Sequence, residues 1–378
     1  MKRVLILGGG FGGIAAARRL RQKLSPEDEV MLVDRRAHFM VGFRKTWALI
    51  GQSPLEAGQR PLAALARQNI QIVQGTVTGV DAASRAAEID GRRVDADAVI
   101  VALGAELAQE KIPGFAHHAF NVYDPQDIPR ASAALHEFRG GRVVIGIFGA
   151  PYKCPPAPYE MALLIKGFFR ARGVTVSLEV FTPQPMSLPI LGAAGCQIIE
   201  GRLAENGITF LPNHTATAVE AGEIVFATGR RPYDLLLGVP PHRCPAPLAQ
   251  SELTGGGNWV RVNARTMETL IPGVYAIGDC VEIPLADGKP LPKAGVFAED
   301  MGSVAAERIA ATFAGQVADA TFKGEGGCFL EVGDGQAVMV QGEFLTEPAP
   351  QVSLSEPSRQ YLEEKRAFEE TRLQAWFS

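Results

Sequence analysis

The distribution of apolar residues predicts alternating strands and helices from the start of the chain. Arg3 to Leu7 is a short apolar run, the stretch from about Gly12 to Leu24 has a helical period, and Glu29 to Asp34 forms a second strand pattern. The continuous apolar run from Ala98 to Gly104 is typical of a strand buried in a parallel sheet. The N-terminal part of the chain is therefore predicted to be a doubly wound α/β fold.

The same alternation begins again after Pro113-Gly114. A strand at 142–149, a helix at 159–172 and a strand at 175–182 form a second βαβ unit. The Pro/Gly-rich segment from Gly238 to Gly257 is typical of a crossing between domains, after which the strand and helix patterns are predicted to return to the first domain. The predicted fold class is α/β, with two Rossmann-like domains and a small C-terminal α+β segment. The predicted divisions are a discontinuous first domain over residues 1–110 and 245–325, a second domain over 111–244, and a C-terminal hairpin and helix over 326–378.

Composition and charge narrow the function classes. The chain has 378 residues, 47% of them apolar, and its net charge of -4 is spread without a basic block, so no nucleic-acid partner is expected. Met1-Lys2-Arg3 leads directly into a strand without the apolar segment of an export signal, which predicts a cytoplasmic location. The histidines and cysteines lack the close spacing of metal ligands, so no metal site is predicted.

A glycine motif follows the first strand. The run Gly8-Gly9-Gly10-Phe11-Gly12-Gly13 opens the first helix, and Asp34 stands at the end of the next strand. In such a motif the first glycine permits a tight turn, the second lets backbone approach a pyrophosphate, and the last allows close packing of helix and strand. Asp34 is placed to accept a hydrogen bond from a ribose hydroxyl. The motif predicts a dinucleotide site but does not choose between NAD and FAD.

Two further segments resemble the two-dinucleotide flavoproteins that include the pyridine nucleotide-disulfide oxidoreductases. They are Thr269 to Asp279, a strand that ends in Gly-Asp, and Ala102 to Ala105, a second glycine-bearing strand end. The resemblance implies that the first site holds FAD and that Asp279 binds it. It also implies a lysine and a helix N-terminus near the flavin, here Lys293 and Gly295. The predicted cofactor-binding residues are Gly8, Gly10, Phe11, Gly12, Gly13, Asp34, Arg35, Val77, Ala102, Gly104, Asp279, Lys293 and Gly295.

The corresponding turn of the second βαβ unit differs in chemistry. Prolines at positions 151, 155, 156 and 158 remove backbone N–H donors that would otherwise bind a pyrophosphate, which disfavours a nicotinamide nucleotide there. Cys154 precedes the helix and follows Lys153, so we expect its thiolate to be stabilised by the helix dipole and by the lysine.

The run Pro-Tyr-Lys-Cys-Pro-Pro-Ala-Pro-Tyr-Glu, residues 151–160, closely resembles the cysteine segment of sulfide:quinone oxidoreductases and of the flavoprotein subunit of flavocytochrome c sulfide dehydrogenase. That resemblance implies a second redox cysteine, matched by Cys328, which would meet Cys154 over the flavin. It also implies that Glu160 handles protons, although a carboxylate in the first helical turn can equally compensate the dipole. Both cysteines are flanked by residues of loop type, and the alternative for Cys328 is a buried, unpaired role.

The resemblance implies an FAD-dependent enzyme that oxidises sulfide or a persulfide through a Cys154-Cys328 disulfide and passes electrons by way of the flavin to a quinone or a cytochrome. Residues 105–153 lack the third cysteine that sulfide:quinone oxidoreductases commonly carry, which leaves the acceptor open. The alternatives are a type II NADH dehydrogenase-like reductase and a non-catalytic, flavin-bearing redox sensor. Arg44 and Lys45 either attract anionic sulfide species or are ordinary surface charges.

The C-terminal helix pattern, residues 357–377, mixes acidic and basic residues with scattered aromatic side chains. It predicts packing onto the body or a homodimer contact, and it leaves open a weak peripheral contact with the inner face of the membrane.

Overall fold

The computed structural model describes residues 1–378. Its strands are β1 Arg3–Leu7, β2 Glu29–Asp34, β3 His38–Phe39, β4 Arg60–Pro61, β5 Gln71–Gln74, β6 Val77–Asp81, β7 Ala86–Ile89, β8 Arg92–Asp95, β9 Ala98–Val101, β10 Glu106–Leu107, β11 Phe120–Asn121, β12 Gly141–Ile147, β13 Val176–Phe181, β14 Ile208–Leu211, β15 Ala216–Glu220, β16 Glu223–Phe226, β17 Gly229–Pro232, β18 Leu235–Val239, β19 His242–Arg243, β20 Val260–Arg261, β21 Val274–Ala276, β22 Val281–Glu282, β23 Glu325–Gly333, β24 Gln336–Glu343 and β25 Gln351–Leu354. Its helices are α1 Phe11–Lys23, α2 Arg44–Leu49, α3 Phe115–His118, α4 Ile128–Glu137, α5 Ala157–Ala171, α6 Gly192–Glu205, α7 Ala246–Ala249, α8 Gly295–Phe313 and α9 Arg359–Phe377.

The first parallel sheet has the strand order β21-β9-β1-β2-β5. Its central strand β1 pairs in parallel with both β2 and β9, and apart from its first residue it is buried, as its apolar run predicted. Helices α1 and α8 pack closely against each other, because a side chain at Gly302 of α8 would lie 2.2 Å from the carbonyl oxygen of Gly12 of α1. Strand β21 belongs to the first sheet although it follows the strands of the second sheet in the chain, so the chain returns to its first sheet after the second is complete.

The second parallel sheet has the order β11-β18-β12-β13-β14 and lies between residues 120 and 239. Two separate apolar cores follow the two sheets, one around β1 and one around β12. These two doubly wound sheets confirm the predicted α/β class with two Rossmann-like units. The exact divisions at 110, 244 and 325 stay a prediction.

The C-terminal segment is the predicted hairpin and helix. Strands β23, β24 and β25 form an antiparallel sheet, and α9 packs against it and against the first unit. Leu373, Trp376 and Phe377 are buried at the end of α9, so this helix packs onto the body. None of the helices is both long enough and apolar enough to span a bilayer.

Candidate active site

The turn from β1 into α1, residues 8–13, is termed the glycine turn below. Gly8 has a φ of +115°, and a side chain there would lie 2.2 Å from the carbonyl oxygen of Ala102. A side chain at Gly13 would lie 1.8 Å from the carbonyl oxygen of Gly8. Backbone geometry and packing therefore require glycine at these two positions.

Gly10 is different, because no atom of the protein lies within 4 Å of the position its Cβ would take. The N–H groups of Gly10, Gly12 and Gly13 donate to no acceptor in the chain, and the first turn of α1 contains no acidic residue. An open space lined by unpaired N–H groups at a helix N-terminus is a site for an anion. The residues present therefore fit the pyrophosphate of FAD.

Asp34 lies at the end of β2 beside this turn and is buried. Its carboxylate accepts from the N–H of Gly9 at 2.6 Å and from the guanidinium of Arg36 at 2.7 Å. Burial alone would raise the pKa of Asp34, but the hydrogen bonds and charge of Arg36 outweigh it and lower the pKa. Arg35, the predicted residue, is exposed, and the neighbour that contacts Asp34 is Arg36, which the motif did not single out.

The Gly-Asp segment after β21 lines a cavity at the N-terminal end of α8. The cavity residues include Gly278, Asp279, Val281, Leu291, Lys293 and Phe297. The Asp279 carboxylate accepts no hydrogen bond from the chain, and burial raises its pKa against the opposing charges of Lys293 and Lys153. A carboxylate without a partner in a cavity fits the ribityl-phosphate part of FAD that the resemblance assigns to it.

Lys293 is buried, and its ammonium donates to the carbonyl oxygens of Asp279 at 2.6 Å and Val281 at 3.0 Å. The same ammonium stands 3.5 Å from the ring centroid of Trp259. Lys293 thus fixes the turn that carries Asp279, and a direct role at the flavin stays a prediction.

The remaining predicted cofactor residues surround the same region. Gly295 begins α8, and a side chain there would lie 2.8 Å from the ring of Phe11. Gly104 follows β9 with a φ of +70° and open space around it, whereas Val77 is buried in the core of the first unit. The side chain of Phe11 turns toward α9, with its ring centroid 5.7 Å from that of Trp376.

The turn from β12 into α5, residues 148–156, is termed the cysteine turn. A side chain at Gly149 would lie 3.0 Å from Cβ of Pro241, so the protein itself fills that space. The first N–H groups of α5 are also used internally, because Ala157 donates to Cys154 and Glu160 donates to Pro156. The cysteine turn therefore lacks the open space of the glycine turn and the free N–H groups at the start of the following helix.

Cys154 occupies the left-handed region, with a φ of +52°, at the centre of the cysteine turn. Its N–H donates to the carbonyl oxygen of Lys293 at 2.8 Å, which joins the second unit to the segment that carries Asp279. Its own carbonyl oxygen accepts from the hydroxyl of Tyr123 at 3.1 Å and from the N–H of Ala157 at 3.0 Å. A non-glycine residue held in this conformation by three hydrogen bonds is characteristic of a functional site.

The predicted stabilisation of the Cys154 thiolate is wrong. Burial, followed by the charge of Glu160, raises the pKa of Cys154 to about 11, and the opposing charges of Lys45 and Lys365 do not compensate. The helix dipole and a lysine next in sequence were outweighed because the sulfur is removed from water. A neutral thiol is a weak nucleophile, so this geometry favours Cys154 as a sulfur that is attacked within a disulfide.

Cys328 lies inside β23, opposite Val340 of β24, so the prediction that loop residues flank it is wrong. Strand β23 extends from Glu325 to Gly333 and forms one strand of the hairpin, so Cys328 lies within it. Burial, followed by the negative charge of Cys154, raises the pKa of Cys328 well above its usual range. Both cysteines are free thiols and are half-buried.

A buried charge cluster joins the two cysteine-bearing segments. Lys365 of α9 is fully buried and donates to Glu160 at 2.7 Å and to Glu331 at 2.8 Å. The N–H of Glu331 donates to Glu160 at 2.8 Å, and the indole of Trp47 donates to Glu331 at 2.5 Å. Glu160 is thus part of an internal network, which is more than a dipole-compensating charge at a helix end.

Burial raises the pKa of Glu160, and the charge of Lys365 opposes the rise. Burial alone would lower the pKa of Lys365, but Glu160 and Glu331 outweigh it and raise the pKa. A buried carboxyl with a raised pKa has the properties of a group that can hold a proton near neutral pH. Sequence reasoning missed Lys365 and Glu331, because a lysine in a helix of mixed charge has the pattern of a solvated residue.

The two basic residues at 44 and 45 have separate environments. Arg44 is buried and pairs with Glu369 of α9, so it is neither a surface charge nor a residue that faces the sulfurs. Lys45 is half-buried, with its ammonium 5.9 Å from the ring centroid of Tyr123.

Three of the five cysteines pack in the cores. Cys196, Cys244 and Cys280 are almost fully buried. The side chains of His, Cys, Asp and Glu form no group of three or more with the arrangement of a metal site.

Comparison with known proteins places this geometry in a family. The sequence profile described as "Pyridine nucleotide-disulphide oxidoreductase" matches residues 2–302. The chain belongs to this family. Membership confirms the predicted oxidoreductase class and FAD as the cofactor.

Within the family, the chain is 25% identical over 306 residues to the mitochondrial sulfide:quinone oxidoreductase of Mus musculus, a match that covers 74% of this chain and 66% of the mouse protein. It is 24% identical over 347 residues to a type II NADH:quinone oxidoreductase of Staphylococcus aureus, covering 82% of each. The solved structure of the sulfide:quinone oxidoreductase from Aquifex aeolicus has a TM-score of 0.90 and 22% identity, covering 100% of this chain and 92% of that one.

Proposed function

We propose that the protein is a sulfide:quinone oxidoreductase-like enzyme that oxidises sulfide or a persulfide through Cys154 and Cys328 and passes the electrons to a quinone or a cytochrome. The observation that carries the proposal is the position of Cys154. It occupies the turn in which a second dinucleotide would be bound, in a left-handed conformation, hydrogen-bonded to the segment that carries Asp279.

The proposed reaction begins with Cys154 and Cys328 joined as a disulfide. The hydrosulfide anion, HS⁻, attacks the sulfur of Cys154, the disulfide bond breaks, and its electron pair leaves with Cys328. Cys154 now carries a persulfide, and the proton of that persulfide moves to the Cys328 thiolate through Glu160. The raised pKa of Cys328 favours protonation of this sulfur, and the raised pKa of Glu160 suits it to the transfer.

A second nucleophile, either sulfide or a small thiol, then removes the outer sulfur from Cys154 and leaves a thiolate there. Oxidation of the Cys154 thiolate and the Cys328 thiol back to the disulfide then releases two electrons and the proton of Cys328. Bound FAD supplies the two-electron acceptor for that oxidation and the route to the quinone or cytochrome. The glycine turn, Asp34 and Asp279 would hold FAD, and Lys293 would keep the Asp279 turn in place. A quinone acceptor partitions into lipid, so the proposal includes a peripheral contact with a membrane surface.

The main rival is NADH oxidation, because type II NADH:quinone oxidoreductases are among the similar proteins. Such an enzyme needs an open turn with free N–H donors after β12. The cysteine turn instead has Pro241 against Gly149, and three of its positions lack an N–H group because they are prolines. These features support sulfide over NADH as the electron donor.

The test is anaerobic stopped-flow mixing of the FAD-loaded protein with sulfide and, separately, with NADH. We expect sulfide to bleach the flavin rapidly and NADH to leave it oxidised. The matched control is Cys196→Ser, which changes a buried cysteine outside the site and should bleach like the native protein. Rapid bleaching by NADH with none by sulfide would overturn the proposal in favour of the rival. Sulfide-dependent turnover that survives Cys154→Ser would remove the cysteine from the reaction.

A further inference from the structure

Three side chains around Tyr123 have no role in the reaction described above. The ammonium of Lys45 lies 5.9 Å from the centroid of the Tyr123 ring, and the ring of His242 lies edge-on to it, with centroids 5.7 Å apart. The hydroxyl of Tyr123 donates to the carbonyl of Cys154, and Lys153 is the residue immediately before that cysteine. Lys45 and His242 therefore lie against the tyrosine that holds Cys154, and Lys153 is joined directly to that cysteine.

The two lysines have no carboxylate at salt-bridge distance, although the charges of Asp279 and Asp124 favour the charged form of Lys153, and that of Asp124 favours the charged form of Lys45. Neither ammonium donates a hydrogen bond or forms a salt bridge within the chain, although both side chains are at least half-buried. Burial lowers the pKa of both, to about 8 for Lys45, and the like charge of Lys153 lowers the pKa of Lys45 further. Cations are rarely held close together and partly buried unless an anion joins them.

His242 supplies the opposite kind of group. It is 8% exposed, and its Nδ1 lies 2.9 Å from the carbonyl oxygen of Pro240, so this nitrogen carries the proton and donates. The other nitrogen, Nε2, is therefore an acceptor, and it is buried without any hydrogen-bond partner. Burial and the charges of Lys153, Lys293 and Lys45 lower the pKa of His242 to about 3, so the ring stays neutral. A buried, bare acceptor beside two unpaired cations requires an explanation.

We propose that Lys45, Lys153 and His242 form a binding site for the hydrosulfide anion beside Cys154. HS⁻ carries one negative charge and one S–H donor, and the three side chains offer two cationic donors and one neutral acceptor. The ammonium groups would hold the anionic sulfur, and Nε2 of His242 would accept its S–H. This inference rests on the proposed function, and it adds the residues that select the singly charged anion and deliver it to Cys154 in preference to Cys328.

The site explains a feature of the reaction that the cysteines alone leave open. The charge of Glu160 disfavours negative charge at both sulfurs, since it raises the pKa of both cysteines. An incoming anion therefore needs compensating charge, and Lys45 lowers the pKa of Cys154 but is not among the main influences on Cys328. Lys45, whose ammonium lies 5.9 Å from the ring centroid of the tyrosine that donates to Cys154, thus favours attack at Cys154.

The first test compares two alkylating reagents of similar size and different charge in the reduced Cys328→Ser protein with FAD saturating. Rates at Cys154 for anionic iodoacetate and neutral iodoacetamide are followed by peptide mass spectrometry. The fraction of thiolate cancels in the ratio of the two rates, so a variant that only shifts the pKa of Cys154 leaves the ratio unchanged. The ratio then reports only the attraction of anions to this sulfur.

We expect Lys45→Gln and Lys153→Gln each to lower the iodoacetate:iodoacetamide ratio by about fivefold, with Lys45→Arg close to native. Lys166→Gln is the matched control, since Lys166 lies on α5 and its ammonium donates to the carbonyl of Val176. A ratio unchanged in both glutamine variants would overturn the inference. Loss of FAD from the variants with an unchanged ratio at saturating FAD would also overturn it, because the lysines would then serve the phosphates of the cofactor.

The second test is steady-state oxidation of sulfide by the FAD-loaded enzyme. We expect Lys45→Gln and His242→Phe to raise KM for sulfide about fivefold or more with kcat within about twofold, the pattern of lost binding. His242→Phe should leave the alkylation ratio unchanged, since the ring it replaces is neutral. Native turnover with unaltered KM in both variants would overturn this inference alone. Absence of sulfide turnover in the native enzyme would instead overturn the proposed function.

Discussion

The glycine turn and the cysteine turn occupy the same position in two similar units, and they differ in what they leave free. The glycine turn has open space at Gly10 and unpaired N–H groups at the start of α1. In the cysteine turn, Pro241 fills the space at Gly149, prolines replace donors at three positions, and the first N–H groups of α5 donate within the chain. One architecture therefore provides an anion-binding helix end in one unit and a rigid support for a sulfur atom in the other.

The largest expected effect comes from removing the sulfur that the cysteine turn supports. Cys154→Ser should reduce sulfide-dependent turnover at least about 10³-fold, the scale expected when a covalent catalytic group is lost. FAD should remain bound, because the glycine turn is untouched. Steady-state assays with sulfide and a quinone check the rate, and flavin absorbance checks the cofactor. Turnover within tenfold of the Cys196→Ser control would contradict the assignment.

The next largest effects come from adding a side chain at one glycine in each turn. Gly10→Val should weaken FAD binding about 100-fold, or roughly 2.7 kcal/mol, with little change in stability, since its side chain enters space reserved for the ligand. Gly149→Val should have the opposite pattern. Its side chain would crowd Pro241, so the free energy of unfolding should fall by about 2 kcal/mol while FAD stays bound. Fluorescence titration of FAD and chemical unfolding measure the two quantities. Equal loss of FAD in both variants would show that the turns do not differ as described.

A third change tests the network behind the cysteine turn. Lys365→Met should lower the free energy of unfolding by about 3 kcal/mol near pH 8, because it leaves Glu160 and Glu331 buried without their cation.

The loss of stability in Lys365→Met should be smaller at low pH, and the direction of this change follows from the raised pKa of Glu160. Its pKa is raised in the folded protein, so the folded state binds more protons than the unfolded state above the ordinary carboxyl value of 4.5. The contribution of Glu160 to stability therefore falls as the pH rises from 4.5 through its folded-state pKa. Removal of Lys365 raises the folded-state pKa of Glu160 further. Urea unfolding at pH 5 and pH 8 measures the difference. An equal loss at both values would show that Glu160 does not titrate in this way.

The smallest expected effect is at the edge of the glycine turn. Arg36→Ala removes an exposed guanidinium from Asp34, and we expect FAD affinity to change by less than about threefold, as is usual for exposed ion pairs. FAD titration measures it, with Arg35→Ala as the matched neighbour. A loss of more than tenfold in Arg36→Ala alone would assign Arg36 to the cofactor site.

Local patterns were sufficient for much of this structure. Apolar periodicity predicted both parallel sheets, and the glycine motif predicted the first turn, because these features depend on residues close together in sequence. The surroundings of Cys154 could not be predicted in the same way. Its pKa depends on burial by distant segments, and Lys365 reaches Glu160 only because α9 packs onto the body.

Single residues show the same limit. Arg44 and Lys45 are adjacent and alike in sequence, yet one is buried against Glu369 and the other lies beside Tyr123. Their environments differ because Arg44 lies on the face of the short helix α2 that meets α9 and Lys45 does not. The orientation of α2 depends on tertiary packing. His242 lies in a proline-rich stretch with no motif, and its unpartnered nitrogen is visible only in three dimensions.

The most direct test of the account is to map the disulfides of the oxidised protein, before and after one equivalent of sulfide, by peptide mass spectrometry with thiols blocked during unfolding. The account predicts a peptide pair that links Cys154 to Cys328 before sulfide, and a persulfide on Cys154 with a blocked Cys328 afterwards. Both cysteines singly blocked in the oxidised protein, or a link to any other cysteine, would contradict it.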